Sequence, residues 1–265
     1  MFDSMGSILE ALSPEQQIAC STQNNILLTA CPGSGKTRTL THRLAYQVLR
    51  DPASKKIKIA ITYTNRAAEE ITNRLEGMNI DQSSIWAGTI HQFCMHFIIR
   101  PYAMYSKRLC KGYRIIDDYS KKAYGREIAE RLGMHLNYYD DPFQYENVRT
   151  EYKRVLKEKK EIDFDAILLI SEELLASCAF IGSNIASVIS SILVDEFQDT
   201  NELQYSILST IYKANKSIIL MFVGDVNQAI YSSLGGVAKG KKELETLCEI
   251  NFDSLSLKGC YRSTQ

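Results

Sequence analysis

Residues Thr29 to Thr37 read T-A-C-P-G-S-G-K-T, and no other stretch restricts the fold as tightly. Two glycines, a lysine and a hydroxyl at this spacing form a loop whose backbone N–H groups turn around a polyphosphate. The positive end of the following helix faces the same anion. Such a loop needs a strand before it and a helix after it. Ile26-Leu27-Leu28 supplies an apolar strand and Arg38 to Leu49 a helical pattern. Ala30, Cys31, Pro32, Gly33, Ser34 and Gly35 form the cradle, with Ala30 where the strict pattern has glycine. Lys36 is placed to neutralise the β and γ phosphates, and Thr37 to hold Mg2+ through its hydroxyl.

Composition narrows the class. A chain of 265 residues, 45% hydrophobic, can bury a sizeable core. Lys+Arg and Asp+Glu each number 31, so no global positive field points to nucleic acid; a local basic groove stays open. The 7 cysteines are scattered, without C-x-x-C or histidines at metal spacing. They read as reduced thiols of a cytoplasmic protein. The longest apolar run, Ile218 to Val223, is too short to span a bilayer, and the N-terminus has no signal-peptide pattern.

Along the chain, Ser13-Pro14-Glu15-Gln16 opens a helix before the loop. Gln16 and Gln17 are either helix surface or, through the paired donor and acceptor of an amide, readers of the adenine edge. Ile57 to Thr62 and Ile85 to Thr89 read as strands. In an open parallel sheet, ligands sit beyond the carboxyl ends of strands, which puts Tyr63, Thr64, Asn65, Thr89 and His91 on the functional edge. Tyr63 either stacks on a base or closes the core. His91 is a phosphate contact or a structural histidine. Asn65 or Thr64 caps a helix over Arg66 to Leu75, and a helix from His91 buries Phe93, Cys94, Phe97 and Ile98.

From Pro101 to Asp163 the alternation of strand and helix stops, and a mostly helical insertion is expected. Its charged stretch Tyr152 to Glu161 reads as a solvated face rather than a nucleic-acid track. After a helix over Asp165 to Leu175, the strand Ile189 to Val194 runs into Asp195-Glu196-Phe197-Gln198-Asp199. Acids at the end of a buried strand need a cation or a task. Asp195 is the natural Mg2+ ligand opposite Thr37, and Glu196 a base for water attacking the γ phosphate. The strand Ile218 to Val223 leads to Gln228, a candidate γ-phosphate sensor, and Leu255-Ser256-Leu257 is a last strand.

Together, S-P-E-Q-Q, A-x-x-G-S-G-K-T-R, I-T-Y-T-N-R-A-A, G-T-I-H-Q-F, D-F-D, V-D-E-F-Q-D-T-N, V-G-D-x-x-Q-x-I-Y and Y-R-S-T resemble the superfamily 1 DNA helicases of the UvrD, Rep and PcrA type, over nearly the whole chain. Ala30 is a usual variant in that family. The resemblance implies a RecA-like α/β motor domain (1–100 with 164–265) carrying a helical insertion (101–163), and an ATP- and Mg2+-dependent hydrolase. It also implies movement on single-stranded DNA or a 3'-tailed duplex, 3' to 5', with a nuclease or repair-protein partner. By resemblance Gln16 reads adenine, Arg38 and Tyr261 flank the base, and Gln228 links γ-phosphate state to DNA grip. Arg262 then stabilises the transferring phosphoryl group. Tyr63 is similar to a DNA-stacking platform, with Thr64, Asn65, Thr89 and His91 beside it.

Two departures stand out. Where the family carries an arginine and aromatic pair after Ile230-Tyr231, this chain has Ser232-Ser233-Leu234-Gly235, so one stacking platform is in question. The second motor domain does not follow Gln265, which implies a truncated product that binds nucleotide and turns it over poorly. Two alternatives are a UvrD-like ATPase of an antiphage system such as Gabija, and a nucleotide-dependent switch that does not unwind DNA.

Overall fold

In the computed structural model, which describes residues 2–137, 139–225, 239–257 and 259, the strands are β1 (Ile26–Ala30), β2 (Ile57–Thr62), β3 (Ile85–Thr89), β4 (Arg114–Ile115), β5 (Glu161–Ile162), β6 (Ile189–Val194), β7 (Ile219–Gly224) and β8 (Asp253–Leu257). Among the described residues, six form one sheet in the order β3-β2-β6-β7-β1-β8. Each neighbouring pair runs parallel. Parallel neighbours need long crossovers, and the helices Lys36–Arg50, Asn65–Gly77, Glu202–Ala214 and Lys241–Cys248 supply them. This is the RecA-like α/β arrangement, a parallel sheet flanked by helices. Because all six strands point the same way, their carboxyl ends share one edge, where the phosphate loop, Tyr63, Thr89, Asp195 and Asp225 emerge.

Local chemistry accounts for the elements. Ser13 caps the helix Pro14–Ser21 in a reciprocal box with Gln16, and Pro14 occupies the first turn, where no N–H is needed. Thr64, not Asn65, caps Asn65–Gly77 by accepting from the Ala67 N–H at 3.2 Å. The central strands are covered on both faces, so they read as continuous apolar runs. Their residues Leu28, Leu193, Met221 and Val223 pack with Leu40, Leu44, Ile71 and Leu75 of the helices in one core.

Several elements depart from the sequence reading. The helices Phe2–Glu10, Ala179–Val188, Glu202–Ala214 and Lys241–Cys248 were not anticipated. The segment after β3 is α-helical only over Ile90–Phe93 and continues as a π-helix over Cys94–Ile99. The wider turn buries Cys94, Ile98 and Ile99 together, and Phe97, expected in the core, is half-buried.

The chain divides into two compact units, 1–93 with 178–265, and 94–177. The second is wider than the expected insertion because the π-helix Cys94–Ile99 packs on the helix Phe164–Ser177. It has its own core, in which Ile116, Ile128, Val148 and Leu156 meet. A two-residue parallel pairing, β4 with β5, joins the segment before its helix Asp118–Arg131 to the segment after its helix Glu146–Lys159. The buried Tyr152 hydroxyl donates to Asp163 at 2.9 Å, and Asp163 also accepts from the Ala166 N–H at 2.9 Å, starting the helix Phe164–Ser177. The charged stretch expected as a solvated face follows the helical period, with Val155 and Leu156 inward and Lys153, Arg154, Lys157 and Glu158 exposed.

Candidate functional site

The loop between β1 and the helix Lys36–Arg50 is held in shape by its own residues. Gly33 and Gly35 adopt φ of 80° and 84°, the left-handed region that L side chains enter at a cost of about 1–2 kcal/mol. Ser34 is buried, and both its N–H (3.2 Å) and its hydroxyl (2.6 Å) donate to the Cys31 carbonyl, closing the turn. Ala30 is the last residue of β1, while Cys31 and Pro32 are exposed at the tip.

Gln16 braces this loop from outside. It is 2% exposed; its carbonyl oxygen accepts from the Ser13 N–H at 3.1 Å, and its amide donates to the Ser34 carbonyl at 3.1 Å. Adenine recognition by Gln16 would therefore fall to its second N–H, or require exchange of an existing contact. Gln17 is half-buried, and its amide donates to the carbonyls of Leu9 (3.1 Å) and Leu12 (3.0 Å). Arg38 reaches the Ala11 carbonyl at 2.8 Å, on the outer side of the same loop helix.

Opposite the loop stands the end of β6. Lys36 Nζ lies 2.8 Å from Glu196 Oε2, and the Thr37 hydroxyl donates to Asp195 Oδ2 at 3.4 Å. Glu196 has φ 50° and ψ 49°, a left-handed conformation unusual for a side chain of its size, and the turn beyond it is pinned by buried Phe197. Its N–H donates to Asp195 Oδ1 at 3.1 Å. Burial, then the neighbouring Glu196 charge, push the Asp195 carboxyl up to about 7, against the opposing pulls of Lys36, the Glu196 N–H and Thr37. Asp199 is raised by the same two causes, burial first. The acids outnumber the cations in contact with them, and the site favours an additional positive charge.

A hydroxyl and a carboxylate are hard oxygen donors that suit Mg2+, which is usually held by one or two protein groups together with phosphate oxygens. Among the described residues no three His, Cys, Asp or Glu side chains form a metal-binding group. A cation beside Thr37 and Asp195 would thus depend on phosphate oxygens for the rest of its shell.

The residues expected to contact DNA occupy the other half of the edge, beyond β2 and β3. Tyr63 is 60% exposed, which removes the core-closing reading. Thr64 and Asn65 are exposed beside it. Asn65 lines a cleft of about 470 Å³ with Thr72, Asn73 and Gln92. The Thr89 hydroxyl accepts from the Gln92 N–H at 3.3 Å and the Thr89 N–H donates to Gln92 Oε1 at 2.9 Å, so Thr89 caps the next helix. His91 is half-buried. Gln228, Tyr261 and Arg262, and the departure at Ser232 to Gly235, lie outside the described residues.

One residue escaped the sequence reading. Gln198, 3% exposed, donates to Glu196 Oε2 at 2.8 Å and accepts from the Asp225 N–H at 3.1 Å. A glutamine two places after an acid has no periodicity to mark it.

Among known proteins, the family described as AAA domain matches residues 15–234. The ATP-dependent DNA helicase PcrA of Leuconostoc citreum is 27% identical, over 92% of this chain and 36% of the relative. DNA helicase II of Escherichia coli (strain K12) is 28% identical, over 86% of this chain and 35% of the relative. Among solved structures, the Pif1 helicase from Candida albicans aligns with a TM-score of 0.44 and 12% identity, over 95% of this chain and 40% of that one. The chain spans a little over a third of the length of the two curated relatives. The resemblance to UvrD, Rep and PcrA-type helicases holds over most of the chain.

Proposed function

This chain belongs to the AAA-domain family, and from that membership we propose that it is the ATP-binding motor portion of a DNA helicase, hydrolysing ATP with Mg2+ and coupling turnover to movement on single-stranded DNA. One observation carries the reading. Lys36 and Thr37, at the start of one helix, meet Glu196 and Asp195, 160 and 158 residues later, at the end of β6. In their proposed roles, Lys36 binds the phosphates, Thr37 and Asp195 hold the metal, and Glu196 takes a proton from the attacking water. Lys36 can engage a phosphate only by sharing or releasing Glu196, which frees that carboxylate for water. The metal, when bound, screens charge on the phosphates.

The unit 1–93 with 178–265 is proposed as the motor domain and 94–177 as its insertion. Tyr63, Thr64, Asn65, Thr89 and His91 are proposed as the DNA contacts, and movement as 3' to 5'. The antiphage alternative gains no support from the relatives, which are DNA helicases.

The test is a pair of measurements on the full chain. Equilibrium binding of a fluorescent ATP analogue should require Mg2+ and should survive Glu196→Gln, while that variant's hydrolysis falls by about 100-fold or more. Failure of the wild-type chain to bind nucleotide sinks the proposal. Strand separation on a 3'-tailed duplex, measured on the longer protein whose motor portion this chain is proposed to be, distinguishes a helicase from a switch: nucleotide binding with no ATP-dependent separation there favours the switch.

A further inference from the structure

The buried amide of Gln198 has no role in phosphate binding or proton transfer as described above, yet both its polar ends are committed. Its N–H holds the carboxylate of Glu196 at 2.8 Å and its oxygen holds the backbone N–H of Asp225 at 3.1 Å. These partners sit at the ends of two adjacent strands, β6 and β7. The space between them is full. A Cβ added at Gly224 would stand 2.2 Å from Gln198 Oε1 and 2.6 Å from Phe197 Cδ1. Real Cβ contacts are not that close, so glycine is what admits the amide.

The turn beneath has little freedom. Phe197 is fully buried, with its ring centroid 6.3 Å from that of Phe222 on β7, and its carbonyl accepts from the Tyr205 hydroxyl at 2.7 Å. Gln198 is thus anchored through its backbone on one side and its amide on two others. Glu196 Oε2 meanwhile accepts from both Gln198 and Lys36. When Lys36 leaves, Gln198 is the remaining contact of that oxygen among those described. A carboxylate that shifts must then break this bond or turn the amide, and turning the amide disturbs Asp225.

We propose that Gln198 is a positioning residue that ties the Glu196 carboxylate to the backbone at the end of β7, so that release of Glu196 by Lys36 is felt at Asp225. The nucleotide-dependent part of this inference rests on the ATP-site reading above; the tie itself does not. It assigns Gln198 two tasks, aiming the base and reporting its state to the neighbouring strand.

The experiment compares the full chain, Gln198→Met, Glu196→Gln and the double variant by NMR of the 15N-labelled Asp225 amide. Methionine keeps the length of glutamine and removes both polar atoms. Glu196→Gln should shift the Asp225 amide resonance when Gln198 is present and leave it nearly unmoved when Met replaces it. A purely structural role would change the starting position but not the response. Gln198→Asn, one methylene too short to span both partners, should behave like Met and serves if the Met variant does not fold. In steady-state assays, Gln198→Met should lower kcat about tenfold or more and leave the nucleotide Kd within about threefold. An Asp225 response to Glu196→Gln that is equal with and without Gln198 overturns the proposal, as does unchanged kcat. Loss of nucleotide binding by the wild-type chain counts against the ATP-site reading, and the NMR comparison still decides the tie.

Discussion

Substituting Gly35 by alanine tests whether Gln16 and the phosphate loop form one unit. Gly35 has φ +84°, which charges an alanine about 1–2 kcal/mol for the left-handed conformation alone. The new Cβ would also stand 2.8 Å from Gln16 Nε2. That amide is the end of a long side chain, but it has nowhere to go: Gln16 is 2% exposed and bonded to Ser13 and Ser34. Moving it forfeits a buried hydrogen bond, worth about 1 kcal/mol net and up to about 3 where an orphaned group remains. The sum is about 2–5 kcal/mol, or a fall in Tm of roughly 4–20 °C for a unit of this size. Trp86, the only tryptophan in the sequence, lies on β3 in the same unit, so its fluorescence follows urea unfolding of the sheet. Repeating Gly35→Ala in a Gln16→Ala background removes the clash and should reduce the cost to the backbone share, about 1–2 kcal/mol. An identical loss in both backgrounds would refute the bracing argument.

Two further outcomes follow from the same geometry. Asp195, lifted from 3.8 to about 7 chiefly by burial, keeps a proton that the unfolded chain releases. Its stabilising share is therefore full below about pH 4 and lost as pH rises through about 7. In chelator, wild-type stability should fall by roughly 2–4 kcal/mol across that range from this group, and Asp195→Asn should flatten the slope; parallel slopes would sink the claim. Tyr63→Ala should weaken single-stranded DNA binding by about 1–3 kcal/mol and change unfolding by less than about 0.5, because the ring is exposed. Titration with a labelled oligonucleotide reads the first effect and urea melts the second.

The large features were legible because each carries a local physical signal. Apolar runs marked the strands, Ser13-Pro14-Glu15-Gln16 marked a helix start, and two glycines before Lys36 marked the loop. Asp195 and Glu196 stood out as charges at the end of a buried strand. What stayed hidden has weaker signals. The helix Ala179–Val188 carries no charged residue, so its exposed Ser183, Asn184 and Ser187 mark its period only weakly, and β4 and β5 are two residues each. The helix Glu202–Ala214 was missed although it opens on a capping box of Asn201 and Gln204, a start signal of the same kind as the one at Ser13. Sequence cannot show which way an amide points: Gln16 offered a base-reading role and Gln198 none, yet both side chains are buried cross-links.

The division of the edge has a physical consequence. In the strand order β3-β2-β6-β7-β1-β8, β6 separates the strands that lead to the proposed DNA contacts from those that lead to the phosphate loop. The first acid after it is bonded across the boundary, because the Asp195 N–H donates to the Ile61 carbonyl at 2.8 Å. Ile61 is two residues before Tyr63, and the intervening Thr62 hydroxyl donates to the Thr64 carbonyl at 2.9 Å. A displacement of the Asp195 backbone therefore either breaks a bond at the sheet edge or carries the end of β2 with it. Close-packed strands resist the first, since Ile61, Thr62 and Val194 are buried. Contiguity of this kind is a route, and coupling becomes real only where the two ends share two discrete arrangements. Glu196 and Lys36 provide a candidate switch between such arrangements: one ion pair, 2.8 Å long, that a phosphate must compete for.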